Sequence, residues 1–190
     1  DHLKVAFQSD EGRLPFVMKG PIIPQDCIDG SLSSQFITGL IYAFVASEHT
    51  RKVKIEIKNP TSIPYILLTL QVLSMFGVDI KFENNTLFFD GPYRLKSTSV
   101  SVEGDWSSAS FLLVAAAISG SITIDNLDIN SNQADKKIIE ALRAFGAEVS
   151  IQGTSVTVVQ KERNPFRFDA THCPDLFPPL AVLAMFSEGV

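Results

Sequence analysis

Ser33-Ser34-Gln35-Phe36-Ile37-Thr38-Gly39-Leu40-Ile41-Tyr42-Ala43-Phe44-Val45-Ala46 and Ser107-Ser108-Ala109-Ser110-Phe111-Leu112-Leu113-Val114-Ala115-Ala116-Ala117-Ile118 are two versions of one pattern. Each puts a hydroxyl pair at a helix start and follows it with an apolar helical run. Phe76-Gly77-Val78-Asp79-Ile80 and Phe145-Gly146-Ala147-Glu148-Val149 form a second matching pair. The first pair is offset by 74 positions (33 to 107) and the second by 69 (76 to 145). Self-similarity at such a period marks a chain built from repeated supersecondary units.

Each unit reads as β-α-β-α-β-β. In the first, strand 26–29 leads into helix 33–47. Strand 53–58 follows, with Val53, Ile55 and Ile57 alternating with Lys54, Glu56 and Lys58, the pattern of a half-buried strand. Helix 64–76 carries Pro64 in its first turn and Gly77 as its stop. A hairpin 79–89 turns at Asn84-Asn85. The second unit repeats this as strand 99–103, helix 107–118, strand 121–124, helix 134–145 and a hairpin 148–159 around Gly153. At the ends, 3–20 reads as a closing hairpin (Leu3–Phe7, turn Asp10-Glu11-Gly12, Phe16–Met18), and 166–190 as an opening strand and helix. The fold class expected is α+β, with two complete units and a partial unit at each end. Helices 33–47 and 107–118 are apolar nearly all round and are expected to be buried throughout. The chain lacks an initial Met and ends just after an apolar helical run, so it reads as a piece of a repeat array.

Composition narrows the function classes. The 190 residues carry 16 Lys+Arg against 21 Asp+Glu, a formal charge of −5, with 45% hydrophobic residues. This is globular composition, and the acidic balance with scattered bases argues against a nucleic-acid binder. No stretch approaches the roughly 18 uninterrupted apolar residues of a membrane span. Cys27 and Cys173 are too far apart in sequence to suggest a metal site or a disulfide framework, so a reducing compartment is expected.

Chemistry concentrates where strands meet helices. Ser33, Ser34 and Gln35 place side-chain donors at a helix N-terminus, where unpaired N–H groups and a partial positive charge attract anions; an ordinary helix cap is the alternative. Ser62 and Tyr65 flank Pro64 at the next helix start, and by themselves read as a cap and a packed aromatic. Asp105 in Gly104-Asp105-Trp106-Ser107-Ser108 either caps its helix or faces a cleft. Asp175, in Cys173-Pro174-Asp175-Leu176, is either a turn residue or a general base. His172 and Cys173 lack further ligands at useful spacing, so neither a metal site nor a thiol nucleophile is expected.

Asp29-Gly30-Ser31-Leu32-Ser33-Ser34-Gln35-Phe36, Ser62-Ile63-Pro64-Tyr65, Val102-Glu103-Gly104-Asp105-Trp106-Ser107-Ser108-Ala109 and Pro174-Asp175 resemble, in order and spacing, the motifs of the 5-enolpyruvylshikimate-3-phosphate synthases (3-phosphoshikimate 1-carboxyvinyltransferases). The resemblance covers almost the whole chain. It implies the inverted α/β prism fold of the enolpyruvyl transferases: two globular halves, each of three β-α-β-α-β-β units, with substrates in the cleft. Residues 1–100 would then be the last part of the N-terminal half (partial unit 1–20, full unit 21–98). Residues 101–190 would open the C-terminal half (full unit 101–160, partial unit 161–190), with the crossing near Thr98–Gly104. The implied reaction moves the enolpyruvyl group of phosphoenolpyruvate to the 5-hydroxyl of shikimate 3-phosphate, releasing phosphate, in the aromatic amino acid branch leading to chorismate. No metal or cofactor is implied.

The resemblance makes Ser33, Ser34 and Ser62 ligands of the shikimate 3-phosphate phosphate group and Tyr65 a neighbour of that pocket. Gln35 would touch both substrates. Asp175 would be the proton acceptor at the 5-hydroxyl, and Asp105 a cleft residue. It further implies a cytoplasmic, monomeric full-length enzyme acting on small molecules, not on nucleic acid or membranes. The family's Lys, Arg, Glu and His-Arg motifs have no counterpart in residues 1–190, and no Lys or Arg lies within ten positions of Ser33–Gln35. Two anionic substrates need convergent cations, so this chain alone is expected to be catalytically silent, and its uncovered apolar ends to promote self-association. The rival readings are a UDP-N-acetylglucosamine enolpyruvyl transferase-like enzyme, disfavoured by Ser33-Ser34-Gln35 and Pro174-Asp175, and a non-catalytic repeat module used for binding.

Overall fold

The strand alternation at Val53–Lys58 sets the centre of the first sheet. The computed structural model describes residues 5–20, 22, 26–47 and 52–189. It divides into two compact units, Asp1–Ser99 and Val100–Val190.

The first unit begins with the antiparallel hairpin β1 (Ala6–Asp10) and β2 (Arg13–Lys19). Leu3 and Lys4 of the expected first strand lie outside the described residues. The turn is tighter than expected because Glu11 and Gly12 both take left-handed backbone, so β1 runs on through Asp10. A four-stranded sheet follows in the order β3-β4-β6-β5. Its members are β3 (Cys27–Asp29), β4 (Val53–Lys58), β5 (Lys81–Glu83) and β6 (Thr86–Phe89). β3 and β4 are parallel, joined by α1 (Ser34–Ala46), while β6 is antiparallel to both β4 and β5. Asn84 and Asn85 both have positive φ, forming the two-residue hairpin turn whose twist matches the strands. α1, α2 (Ile63–Met75) and the sheet share one core, with Ile37, Ile41 and Phe44 against Ile55, Ile57, Ile66, Leu70, Leu87 and Phe89. The Phe44 and Phe89 rings lie 5.3 Å apart.

The second unit holds α3 (Trp106–Ser119), β7 (Ser121–Ile124), a 3-10 turn over Ala134–Lys137, α4 (Ile138–Phe145), β8 (Glu148–Gln152) and β9 (Ser155–Val159). A second 3-10 turn, Pro174–Leu176, leads into α5 (Phe177–Met185). The sheet is antiparallel in the order β7-β9-β8. Trp106, Leu113, Ile138, Leu142, Phe145, Val156, Val158 and Leu176 are fully buried and form the core.

The matching Phe-Gly pairs end α2 and α4 identically. Gly77 (φ +79°) and Gly146 (φ +103°) take left-handed backbone. Val78 N–H returns to Leu73 O and Ala147 N–H to Leu142 O, each at 3.0 Å, the six-to-one bond of a glycine helix stop. After each hairpin the chain comes back to the same place: Lys96 N–H donates to Phe76 O and Asn164 N–H to Phe145 O.

Three sequence expectations are corrected. Strand 99–103 does not form: residues 90–105 contain no regular element, and Val102 is 85% exposed. Its counterpart β3 has the parallel partner β4, whereas among the described residues β7 pairs only with β9. The strand expected after 166 is likewise absent, since residues 160–173 join no sheet. Helices α1 and α3 are not buried throughout. Each packs one face on its own unit, leaving Phe36, Tyr42, Phe111 and Leu112 exposed where no described residue covers them.

Candidate functional site

Because β3 and β4 are parallel and each runs into a helix, the starts of α1 and α2 lie at the same edge of the sheet, beyond the strands' carboxyl ends. In sheets of this kind ligands bind at that edge. Two helix starts there bring two sets of unpaired N–H groups and two positive dipole ends together.

The loops carrying those starts are tied to one another. Gly30 N–H donates to Lys58 O at 2.7 Å, and Gly30 O accepts from Thr61 N–H at 3.3 Å and Thr61 Oγ1 at 3.1 Å. No side chain fits at Gly30: a Cβ would meet Ile57 Cγ2 at 2.6 Å and Pro60 Cα at 3.2 Å. Asp29 secures the next residue, accepting from Ser31 N–H and Ser31 Oγ, both at 3.0 Å.

On this frame the five expected residues of the first unit come together as two groups. Ser33 caps α1, its Oγ accepting from Gln35 N–H at 3.2 Å. Ser34 is buried at the first helical position and Gln35 is exposed beside it. Ser62 stands before α2 with left-handed backbone (φ 51°, ψ 42°) and makes no capping bond through its side chain. Such strain in a non-glycine residue is held only when the surroundings impose it, and it gathers at functional sites. Tyr65 follows in the first turn, half-buried, its N–H donating to Ser62 O.

Two residues were not read from the sequence as part of this edge. Thr61 carries no motif of its own; its role appears only through Gly30. Lys58 lies 23 positions from Gln35 in the chain, yet stands opposite Asp29 in the parallel register, where its main-chain carbonyl holds Gly30 N–H. The strand alternation locates the end of β4, and only the pairing with β3 sets Lys58 opposite Asp29.

In the second unit Asp105 is a helix cap. Its carboxylate accepts from Ser107 N–H (3.0 Å), Ser108 N–H (3.2 Å) and Ser108 Oγ. Asp175 is exposed within the 3-10 turn before α5, and both that turn and α5 pack on α3. The preceding loop is pinned by Asp169, whose carboxylate accepts from Thr171 Oγ1 and Thr171 N–H (2.9 Å) and is thereby held below the ordinary range. Cys173 is buried, which pushes its thiol up to about 11 with a further contribution from the Asp135 charge, leaving it inert as a nucleophile at neutral pH. An open, largely apolar groove of about 610 Å³ is lined by Phe166, Phe168, Pro174, Phe177 and Leu180; Asp175 is not among its lining residues. Among the described residues no helix is long and apolar enough to cross a membrane, and no group of three His, Cys, Asp or Glu could hold a metal.

A family model described as EPSP synthase (3-phosphoshikimate 1-carboxyvinyltransferase) matches residues 2–190. The chain belongs to the EPSP synthase family. Among curated relatives, the 3-phosphoshikimate 1-carboxyvinyltransferase of Pyrococcus abyssi is 39% identical over 189 residues, covering 98% of this chain and 44% of the relative. That of Pyrococcus furiosus is 43% identical over 159 residues, 83% of this chain and 38% of the relative. The chain therefore spans less than half the length of these EPSP synthase relatives. The fold is that of the enolpyruvyl transferases. The enolpyruvyl transferase NikO from Streptomyces tendae superposes with TM-score 0.73 at 19% identity, covering 99% of this chain and 48% of that one. An EPSP synthase from Acinetobacter baumannii does so with TM-score 0.69 at 23% identity, covering 98% and 44%.

Proposed function

We propose that this chain is part of a 3-phosphoshikimate 1-carboxyvinyltransferase, transferring the enolpyruvyl group of phosphoenolpyruvate to the 5-hydroxyl of shikimate 3-phosphate with release of phosphate. The observation that carries the reading is the pair of hydroxyl-bearing helix starts at one sheet edge, tied through Gly30 and Thr61. Ser33 and Ser34 on one start and Ser62 on the other hold the phosphate of shikimate 3-phosphate, and Tyr65 borders that pocket. Gln35, exposed beside them, reaches both substrates. A phosphate so placed gains charge-assisted hydrogen bonds together with two helix dipoles.

Asp175 serves as the proton acceptor. The 5-hydroxyl is a weak nucleophile until its proton is taken, and addition followed by elimination passes through a tetrahedral intermediate before phosphate leaves. Asp105 acts by capping α3. Residues 1–100 belong to the N-terminal half of the enzyme and 101–190 to the C-terminal half. The complete enzyme is a cytoplasmic monomer needing no metal or cofactor, whereas residues 1–190 alone are inactive and self-associate through the exposed apolar faces.

The test is phosphate release by the product of the complete reading frame and by residues 1–190. Turnover with shikimate 3-phosphate and phosphoenolpyruvate by the first and none by the second is expected. Turnover with UDP-N-acetylglucosamine in place of shikimate 3-phosphate would replace the reading with the sugar-nucleotide enzyme. A reading frame ending near residues 1 and 190 would instead favour a non-catalytic repeat module.

A further inference from the structure

We infer that Thr61 is a positioning residue, which through the Gly30 carbonyl sets the spacing between the hydroxyl-bearing starts of α1 and α2. Its N–H and its Oγ1 both donate to that one oxygen, at 3.3 and 3.1 Å. On the other side Gly30 N–H is held by Lys58 O at 2.7 Å. Thr61 immediately precedes Ser62, and Gly30 stands three residues before Ser33, so the tie joins the two loops where each enters its helix. Moving either loop breaks contacts to the other.

The second unit has the same tie built from a different side chain. Gly104 occupies the place of Gly30 at the repeat offset of 74. Its N–H donates to Asn126 O, just beyond β7, at 2.7 Å, and its carbonyl accepts from Gln133 Nε2 at 2.9 Å. A Cβ at Gly104 would meet Asn126 O at 2.6 Å, as one at Gly30 would meet Ile57. Gln133 Oε1 also takes the first helical N–H of α3, from Trp106, at 2.8 Å. Two unrelated side chains, Thr61 and Gln133, thus hold the carbonyl of a glycine whose added Cβ would clash, each just ahead of a helix start. Each copy thus satisfies the same shielded carbonyl, and each does so with a side chain from the loop that enters the next helix. In the first unit the held helix start carries Ser33, Ser34 and Gln35, so the consequence for substrate rests on the function proposed above.

The experiment compares Thr61→Val, Thr61→Ser and Ser47→Ala in the product of the complete reading frame. Ser47→Ala removes a comparable hydroxyl-to-carbonyl bond, Ser47 Oγ to Phe44 O at 2.7 Å, from the far end of α1. Thr61→Val is expected to raise KM for shikimate 3-phosphate roughly two- to tenfold with kcat little changed, the range spanned by one neutral hydrogen bond. Thr61→Ser restores wild-type KM, and Ser47→Ala leaves it unchanged while lowering the melting temperature. Amide exchange across 31–36 reads the tie without substrate and is expected to quicken in Thr61→Val only. If the wild-type protein has no activity on this substrate pair, the functional reading falls and the exchange data alone decide the tie. Unaltered exchange in Thr61→Val, or equal defects in Thr61→Val and Thr61→Ser, would overturn the inference.

Discussion

Gly30→Ala perturbs the frame of the site at its most crowded point. The added methyl would sit 2.6 Å from Ile57 Cγ2 and 3.2 Å from Pro60 Cα. Ile57 is fully buried in β4 and, being β-branched, has little rotamer freedom with which to yield. Overpacking of this sort costs about 1–3 kcal/mol. Displacing Gly30 also weakens its bonds to Lys58 O and Thr61, each worth about 1 kcal/mol net. A total of roughly 2–4 kcal/mol is expected. For a unit of this size that is a fall in melting temperature of about 8–30 °C. The control is Gly39→Ala in the middle of α1, where a Cβ meets nothing within 4 Å. Removing a helical glycine there stabilises by about 0.5–1 kcal/mol. Urea unfolding of both variants beside wild type measures the contrast. If the two alanines came within about 0.5 kcal/mol of each other, with unchanged m-values, the crowding argument at Gly30 would fail.

Asp105→Ala removes both capping bonds of α3 and should cost about 1 kcal/mol in urea unfolding, with Asp105→Asn losing less. Trp106→Phe should destabilise by about 1–3 kcal/mol, because the fully buried indole N–H donates to Asp128 O at 3.0 Å and its loss strands that carbonyl. At pH 8 a thiol reagent should label Cys27 in the native protein and reach Cys173 only after unfolding. Because burial raises the Cys173 thiol from 9.0 to about 11, the fold favours its neutral form; that contribution is whole below pH 9 and lost as pH climbs towards 11. Cys173→Ala should flatten this part of the stability profile.

The sequence made the repeat legible because its signals are local. Alternation at Val53–Lys58 gave that strand to the residue, and the Phe-Gly pairs marked two helix ends whose return bonds to Leu73 and Leu142 the structure supplies. Repeat symmetry predicts a strand over 99–103, but a strand exists only with a pairing partner, and among the described residues β7 pairs with β9 alone. Burial of α1 and α3 was overestimated for a similar reason: an apolar surface such as Phe36 or Phe111 is a property of the residue, whereas burial depends on what packs there. At the site, Ser33, Ser34, Gln35, Ser62 and Tyr65 stood out as hydroxyls and motif residues at helix starts. Thr61 and Lys58 did not, since one acts on a main-chain carbonyl and the other reaches the edge only through strand register. Asp105 is open between two roles in the sequence because only its bonds to Ser107 N–H and Ser108 N–H distinguish a cap from a cleft residue.

On the function proposed above, the paired helix starts of the first unit hold the phosphate of shikimate 3-phosphate. Titration calorimetry of that ligand into the product of the complete reading frame, wild type beside Ser34→Ala, tests it most directly. Hydrogen bonds to a charged group are worth about 1.5–3 kcal/mol, so Kd should rise roughly 10- to 150-fold with the melting temperature nearly unchanged. A Ser34→Ala protein that binds shikimate 3-phosphate as tightly as wild type would contradict the account.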